Sequence, residues 1–153
     1  MKSLGRFTVR GQLLETDGAH QIRLFDGKYK TAYKIVEFTV FGATANASAN
    51  PDVMGKLATT GNLSTGSVNF FNAADTRELA WSGSAGSSDT MFNSPVARVL
   101  DPDNLVVEDL YIYARSSGTE PINYLIVLEK LDVGLTQGMY TLVQNNSQNF
   151  PQN

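Results

Sequence analysis

The strongest constraint on the fold is an alternation of apolar and polar residues, repeated in strand-length segments and interrupted by Gly-containing turns. Phe7, Val9 and Leu13 alternate with polar side chains, which is the period-two pattern of a strand with one buried face. Asp17 and Asp26 are each followed by Gly, and Asp-Gly pairs favour tight turns between strands. No helical pattern of about 10–15 residues separates the strands, which argues against a Rossmann-type α/β fold.

Two longer segments are apolar on both faces. Residues 31–41 should form an inner strand, with Val36, Phe38 and Val40 on one face and Tyr33, Ile35 and Phe41 on the other. Residues 105–114 alternate as well, and we expect them to form a central hairpin with residues 122–131 across the loop at 116–121. Residues 20–24, 68–71 and 78–81 are predicted as shorter strands, and residues 53–57 as a strand or one helical turn.

The segments together predict an all-β chain with about seven to nine strands and at most one or two short helices. Many short strands with Gly-rich turns are typical of a single β-sandwich, most simply a jelly-roll-like one. The length of 153 residues suits one domain. We expect a sandwich domain over residues 1–143, in which 135–143 have helical spacing weakened by Gly138, and a polar C-terminal arm over residues 144–153.

Composition excludes several kinds of chemistry. The chain has no Cys and one His, His20, which rules out thiolate nucleophiles, disulfides, Cys-ligated metals and every motif with two His ligands. A net charge of −3 does not suit nucleic-acid binding through a dominant basic face. No apolar run approaches the roughly 18 residues of a membrane span, and no signal peptide is visible.

Charge is unevenly distributed along the chain. Residues 1–34 carry seven basic and three acidic residues, a net of +4, whereas the remaining residues carry a net of −7. Such asymmetry either marks an electrostatic partner or reflects basic strands lying beside acidic ones in one fold.

The acidic side chains offer no coherent site. Asp101, Asp103 and Asn104 could supply three oxygen ligands to calcium, but Asp-Pro-Asp-Asn is typical of a type I turn. Glu108 and Asp109 are adjacent and therefore point to opposite faces of a strand, so they cannot flank one scissile bond. We predict no catalytic residue, no cofactor and no metal.

Aromatic residues and the C-terminal arm are the remaining candidates. Trp81, Tyr111 and Tyr113 could form a ligand-stacking platform, or they could pack in the core or under a loop. In the arm, amide side chains could satisfy an exposed sheet edge and the Phe-Pro pair could fill a pocket, on this chain or on a neighbour. The predicted assembly contacts are Asn145, Asn146, Phe150 and Pro151.

Four segments resemble small virion proteins of marine bacteriophages. These are residues 101–111 (DPDNLVVEDLY) and 124–130 (YLIVLEK), with 24–28 (LFDGK) and 33–38 (YKIVEF) similar as well. The resemblance implies a capsid or capsid-associated β-sandwich subunit, an inference by analogy that carries no catalytic residue.

We therefore expect a non-enzymatic virion structural protein, either a capsid subunit or a decoration protein that stabilises a capsid. Its partners would be copies of itself, a major capsid protein, or both, and it would form a homo-oligomer. It would be made in the host cytoplasm and reside in the virion, without binding nucleic acid or membrane directly. The alternative is a carbohydrate- or receptor-binding β-sandwich module of a tail or fibre.

Overall fold

The computed structural model describes residues 1–14, 18–43, 52–63, 71–84 and 96–148. Within these ranges the chain forms nine β-strands in two antiparallel sheets, together with one α-helix. This confirms the predicted all-β sandwich and the expected number of strands and helices. The predicted strand at residues 68–71 lies outside the described residues except for Phe71, which belongs to no strand.

The elements follow one another as a series of strands that ends in the helix. In chain order they are β1 (Lys2–Leu13), β2 (His20–Ile22), β3 (Thr31–Gly42), β4 (Val53–Ala58), β5 (Glu78–Ser84), β6 (Val96–Val99), β7 (Leu105–Val106), β8 (Leu110–Ser116), β9 (Ile122–Asp132) and α1 (Leu135–Gln148). Sheet A has the strand order β1-β9-β3-β7, and sheet B has the order β2-β8-β4-β5-β6. Residues 53–57 are thus a strand, which decides between the two alternatives.

The core lies between the two sheets. Phe38, Ile126 and Leu128 of sheet A belong to one buried cluster with Leu57 and Ile112 of sheet B, and each is at most 1% exposed. Full burial of a side chain of this size contributes about 1.5–3 kcal/mol to stability. The hydrophobic effect across this layer therefore holds the two sheets together.

The sheets approach closely around Val40 of β3. A Cβ atom on Gly55 would lie 2.7 Å from Val40 Cγ1, so the absence of a side chain at Gly55 permits this approach. The backbone N–H of Val40 donates a buried hydrogen bond of 2.9 Å to Ser82 Oγ. Gly55 and Ser82 therefore set the spacing between sheets at this point.

The predicted central hairpin is wrong. β8 pairs with β2 and β4 in sheet B, whereas β9 pairs with β1 and β3 in sheet A. The connection at residues 117–121 therefore crosses between the sheets. Five extended residues reach about 17 Å, which is enough to span the distance of about 10 Å between packed sheets. Residues 105–114, predicted as one strand, likewise divide into β7 in sheet A and β8 in sheet B.

The inner position of β3 is confirmed, but its predicted faces are wrong. A register shift between Ile35 and Glu37 interrupts the alternation. The shift places Tyr33, Ile35, Phe38 and Val40 together in the buried core, while Phe41 is 46% exposed. A β-bulge inserts one extra residue and reverses the faces of everything that follows.

Helix α1 packs against the backbone that precedes β3. A Cβ atom on Gly138 would overlap the Tyr29 carbonyl oxygen, so the residue that weakens the helical pattern is the one that permits this contact. Thr141 is 3% exposed and its Oγ1 donates to the Gln137 carbonyl at 2.9 Å. The helix continues beyond residue 143 into the segment predicted as the arm.

Candidate functional site

The outward face of sheet B brings together the three predicted platform residues. Lys56 of β4 is paired with Tyr113 of β8 and with Trp81 of β5, and Trp81 is paired with Arg98 of β6. Paired residues share a face, so these four side chains form a row across the sheet. Tyr111 lies two residues before Tyr113 and shares the same face.

Three alternate residues of β8 and its approach build a cleft on this face. Leu110 and Ile112 point into the core and are fully buried. Asp109, Tyr111 and Tyr113 therefore project outward. Asp109 and Tyr113 each hold one wall of the cleft, and Tyr111 lies between the two walls.

Asp109 holds the first wall, the segment that includes β2. Its Oδ1 accepts the backbone N–H groups of Leu24 at 2.8 Å and Phe25 at 3.1 Å, and its Oδ2 accepts Gln21 Nε2 at 2.6 Å. Partial burial would raise the pKa of Asp109, but these three hydrogen bonds and the charge of Arg23 keep it below its usual 3.8. The carboxylate is thus ionised and fully engaged in positioning this wall.

Tyr113 holds the second wall, the segment that follows β4. Its hydroxyl accepts the backbone N–H of Leu63 at 3.2 Å and donates to the carbonyl of Thr60 at 2.8 Å. The residue is 4% exposed, and burial raises the pKa of Tyr113 above its usual 10.0. Tyr113 is therefore a buried anchor, and its ring is covered rather than offered as a platform.

Tyr111 remains half-buried between the two walls. Gly61 approaches its ring so closely that a Cβ atom there would lie 3.0 Å from Tyr111 Cδ1. The cleft has a volume of about 560 Å³, within the roughly 300–1,000 Å³ typical of small-molecule sites. Its lining residues are mostly polar: Ala19, Gln21, Phe25, Thr59, Thr60, Gly61, Asn62, Glu108, Asp109 and Tyr111.

Trp81 lines a separate groove of about 370 Å³ with Phe71 and Arg98. The rings of Phe71 and Trp81 are stacked, with centroids 4.9 Å apart and an interplanar angle of 14°. Gly83 shares the face of Trp81 two residues further on and leaves this side of the groove without a side chain. Because Phe71 covers one face of the indole, the stacked pair presents the Phe71 ring, which is 38% exposed.

A buried ion pair lies beside the Trp81 groove and was not identified from the sequence. Lys56 Nζ contacts Glu78 Oε1, and their side chains are 1% and 0% exposed. Glu78 Oε2 accepts the backbone N–H of Asn72 at 2.8 Å and Trp81 Nε1 at 3.4 Å. The carboxylate thus fixes the segment that carries Phe71 over Trp81. A lysine at an outward strand position is ordinarily solvated, so the sequence around Lys56 does not indicate that this side chain is buried.

The predicted assembly residues lie in different parts of the structure or outside its described ranges. Asn145 is 5% exposed and its Nδ2 donates to the Leu105 carbonyl at 3.0 Å, which fastens α1 to the edge strand β7. Asn146 lies in α1. Phe150 and Pro151 lie outside the described residues.

The acidic turn has the geometry predicted for a local turn. The N–H of Asn104 donates to the Asp101 carbonyl at 3.2 Å, and the N–H of Asp103 donates to Asp101 Oδ1 at 3.3 Å. Lys34 Nζ lies 3.6 Å from Asp103 Oδ1. In the described part of the chain, no three His, Asp or Glu side chains are grouped closely enough to hold a metal ion.

The twelve-residue strand β1 forms one edge of sheet A. It pairs with β9, and in the described ranges no strand pairs with its other side. Most of its residues are exposed, including Leu4 at 51% and Phe7 at 38%. Lys2, Arg6 and Arg10 give it three positive charges, and it has no acidic residue.

Comparison with known proteins identifies no relative. No protein-family model matches the chain, and no curated protein matches it. Among the residues that the structure describes, no helix is long and apolar enough to cross a membrane.

Proposed function

We propose that this chain is a phage virion structural protein that acts through protein–protein contacts, as a capsid or capsid-decoration subunit. The observation that carries the proposal is the open edge of β1. An exposed edge strand offers unpaired N–H and C=O groups along its length, and β1 is about twice as long as an average strand. An assembly that covers such an edge uses these unpaired backbone groups as an interface.

The charge of β1 indicates what covers it. If two copies of β1 paired antiparallel about Thr8, Arg6 of one copy would face Arg10 of the other. Like charges directly opposite each other destabilise a strand pair. That register is therefore disfavoured, and an edge with three positive charges and no acidic residue is best complemented by a less basic segment, either on another copy of the chain or on a major capsid protein. Between copies of the chain, such a head-to-tail contact builds a ring when its rotation closes and an open filament when it does not.

The carboxylates with the clearest environments support a non-enzymatic role. Asp109 and Glu78 are each held by several hydrogen bonds that fix neighbouring backbone. The pKa of Asp75 lies below its usual 3.8 because Arg77 donates to it, despite partial burial. Asp75 and Asp109, whose pKa values are lowered in this way, are poor general acids. Synthesis in the host cytoplasm and residence in the virion follow from the proposed role.

The test is to reverse the charge of the edge and measure association. Arg6→Glu with Arg10→Glu changes two exposed side chains, and circular dichroism checks that the fold is retained, because Arg6 pairs with Glu129 of β9. We expect the full chain to form a symmetric oligomer or bind capsids, and the double variant to need about 100-fold higher concentration, since like-charge contacts cost several kcal/mol. Size-exclusion chromatography with light scattering and co-sedimentation with capsids measure the two forms of association.

A matched control separates the edge from overall charge. Lys28→Glu with Lys30→Glu changes the net charge equally at two exposed positions away from β1. This control should associate like the unmodified chain. A chain that stays monomeric and binds no capsid, or two double variants that weaken association equally, would contradict the role of β1.

A second candidate function is a carbohydrate- or receptor-binding module of a tail or fibre. The cleft around Tyr111 favours it, because its two walls are held in place by Asp109, just before β8, and Tyr113, in β8. On this function the chain binds a soluble glycan without a change in oligomeric state, whereas the virion role predicts association without added ligand.

A further inference from the structure

We infer that the cleft around Tyr111 binds a neutral saccharide, an inference that rests on the second candidate function above. The chemical groups that line the cleft indicate this class of ligand. Gln21 and Asn62 supply amides, Thr60 supplies a hydroxyl, and Glu108 supplies an exposed carboxylate at the rim. Amides, hydroxyls and carboxylates together can donate to and accept from the hydroxyl groups of a sugar.

The rings in the cleft suit the apolar face of a sugar. Tyr111 is half-buried between the walls, and Phe25, on the first wall, is 38% exposed. Binding sites of this kind combine aromatic surface with a few well-placed polar groups. The predicted platform of Trp81, Tyr111 and Tyr113 thus reduces to Tyr111 with Phe25, because Tyr113 is buried and Trp81 is covered on one face by Phe71.

Charge argues for a neutral ligand rather than an acidic one. Among the described residues that line the cleft, none is Lys or Arg, and two are carboxylates. Glu108 at the rim would repel an anion, whereas the hydrogen bonds to Asp109 already occupy that carboxylate. An acidic sugar would therefore bind more weakly than its neutral counterpart.

The cleft is also preorganised for a ligand. Asp109 fixes the wall that carries Gln21 and Phe25, and Tyr113 fixes the wall that carries Thr60. Tyr113 projects from the same strand as Tyr111, and Asp109 immediately precedes that strand. A site whose walls are held before binding loses less conformational entropy when the ligand arrives.

The experiment is a titration of the full chain with free sugars, followed by amide NMR. The probes are glucose, galactose, mannose and N-acetylglucosamine, each as a monosaccharide and as a disaccharide. We expect at least one to shift the amide signals of Gln21, Asn62 and Tyr111 with a dissociation constant on the order of millimolar, as ligand efficiencies imply for about a dozen non-hydrogen atoms.

Matched variants test the assignment. Glu108→Gln replaces an exposed charged acceptor with a neutral one and should weaken binding about tenfold, the usual difference between hydrogen bonds to charged and to neutral groups. Glu120→Gln makes the same chemical change in the loop after β8 and should leave binding unchanged. Tyr111→Leu keeps bulk between the walls while removing the ring, and should also weaken binding.

The titration distinguishes a wrong assignment of the Tyr111 cleft from a wrong assignment of the ligand as a saccharide. If a sugar shifts the signals of Phe71 and Trp81 instead, the binding module stands and the Tyr111 cleft is not its site. If none of these sugars shifts any signal, the saccharide assignment is overturned, whereas binding of a receptor that carries no such sugar is a separate outcome that this titration does not contradict. The association measurements on β1 variants are unaffected by either result.

Discussion

The buried ion pair between Lys56 and Glu78 gives the most demanding test of how sheet B is built. Lys56→Met removes the cation and leaves the Glu78 carboxylate buried, with Asn72 and Trp81 as its remaining partners. Glu78→Gln removes the anion and leaves the Lys56 ammonium almost fully buried. Each change removes from the other member the counter-charge that this pair supplies, so the cost of burying that member is offset less.

The expected magnitude follows from that burial. Removing one partner of a buried pair costs about 3–5 kcal/mol, a large fraction of the roughly 5–15 kcal/mol by which a typical domain is stable. For a chain of 153 residues this lowers the midpoint of thermal unfolding by about 10 °C. The double variant should lose less than the sum of the single losses, because it leaves no unpaired buried charge.

Urea unfolding of the three variants and the unmodified chain measures these free energies. Trp81 fluorescence in the folded state reports the second consequence, since Glu78 holds the segment that carries Phe71 over the indole. We expect the Glu78→Gln spectrum to change before unfolding begins. Single variants that each cost less than about 1 kcal/mol and add without coupling would refute the reasoning.

Two further predictions concern Asp109 and Gly138. The folded-state pKa of Asp109 is below its unfolded value, so its contribution to stability is complete above the usual pKa of 3.8 and is lost as pH falls through the lower folded value. In the Asp109→Asn variant the midpoint of urea unfolding should therefore fall less steeply below about pH 4 than in the unmodified chain. An equally steep fall would contradict the role of the hydrogen bonds that Asp109 accepts from Leu24 and Phe25. Gly138→Ala raises helix propensity by about 1 kcal/mol, yet it should lower stability because the new methyl meets the Tyr29 carbonyl. Circular dichroism during thermal unfolding checks this, and a higher midpoint would show that α1 does not lie against residues 29–30.

The strands were largely predictable because their signal is local. Alternation in residues 7–13 follows the more buried face of β1, which the sequence records directly. The assignment of strands to sheets was not predictable in this way. β8 and β9 are consecutive and joined by a short loop, so a hairpin is the simplest expectation, but loops of this length also cross between sheets.

The candidate site was only partly predictable for a similar reason. Tyr111, Tyr113 and Trp81 were singled out as rings on strand faces, and they do share the outward face of sheet B. Burial of Tyr113 depends on a loop that folds back from β4, and the cover on Trp81 depends on the segment fixed by Glu78. Both are long-range contacts with no periodic signature. The bulge at Val36 was not predicted. Both faces of β3 carry apolar residues, so one extra residue leaves the apolar pattern of the sequence unchanged.

The central claim is that the open edge of β1 is an assembly surface. Electron cryo-microscopy of the assembled protein, alone or on capsids, tests it directly because it shows what lies beside Arg6 and Arg10. We expect a neighbouring segment that is less basic than β1 and pairs along the side of β1 that no strand of the described residues covers. An assembly in which β1 faces solvent in every copy would contradict the account.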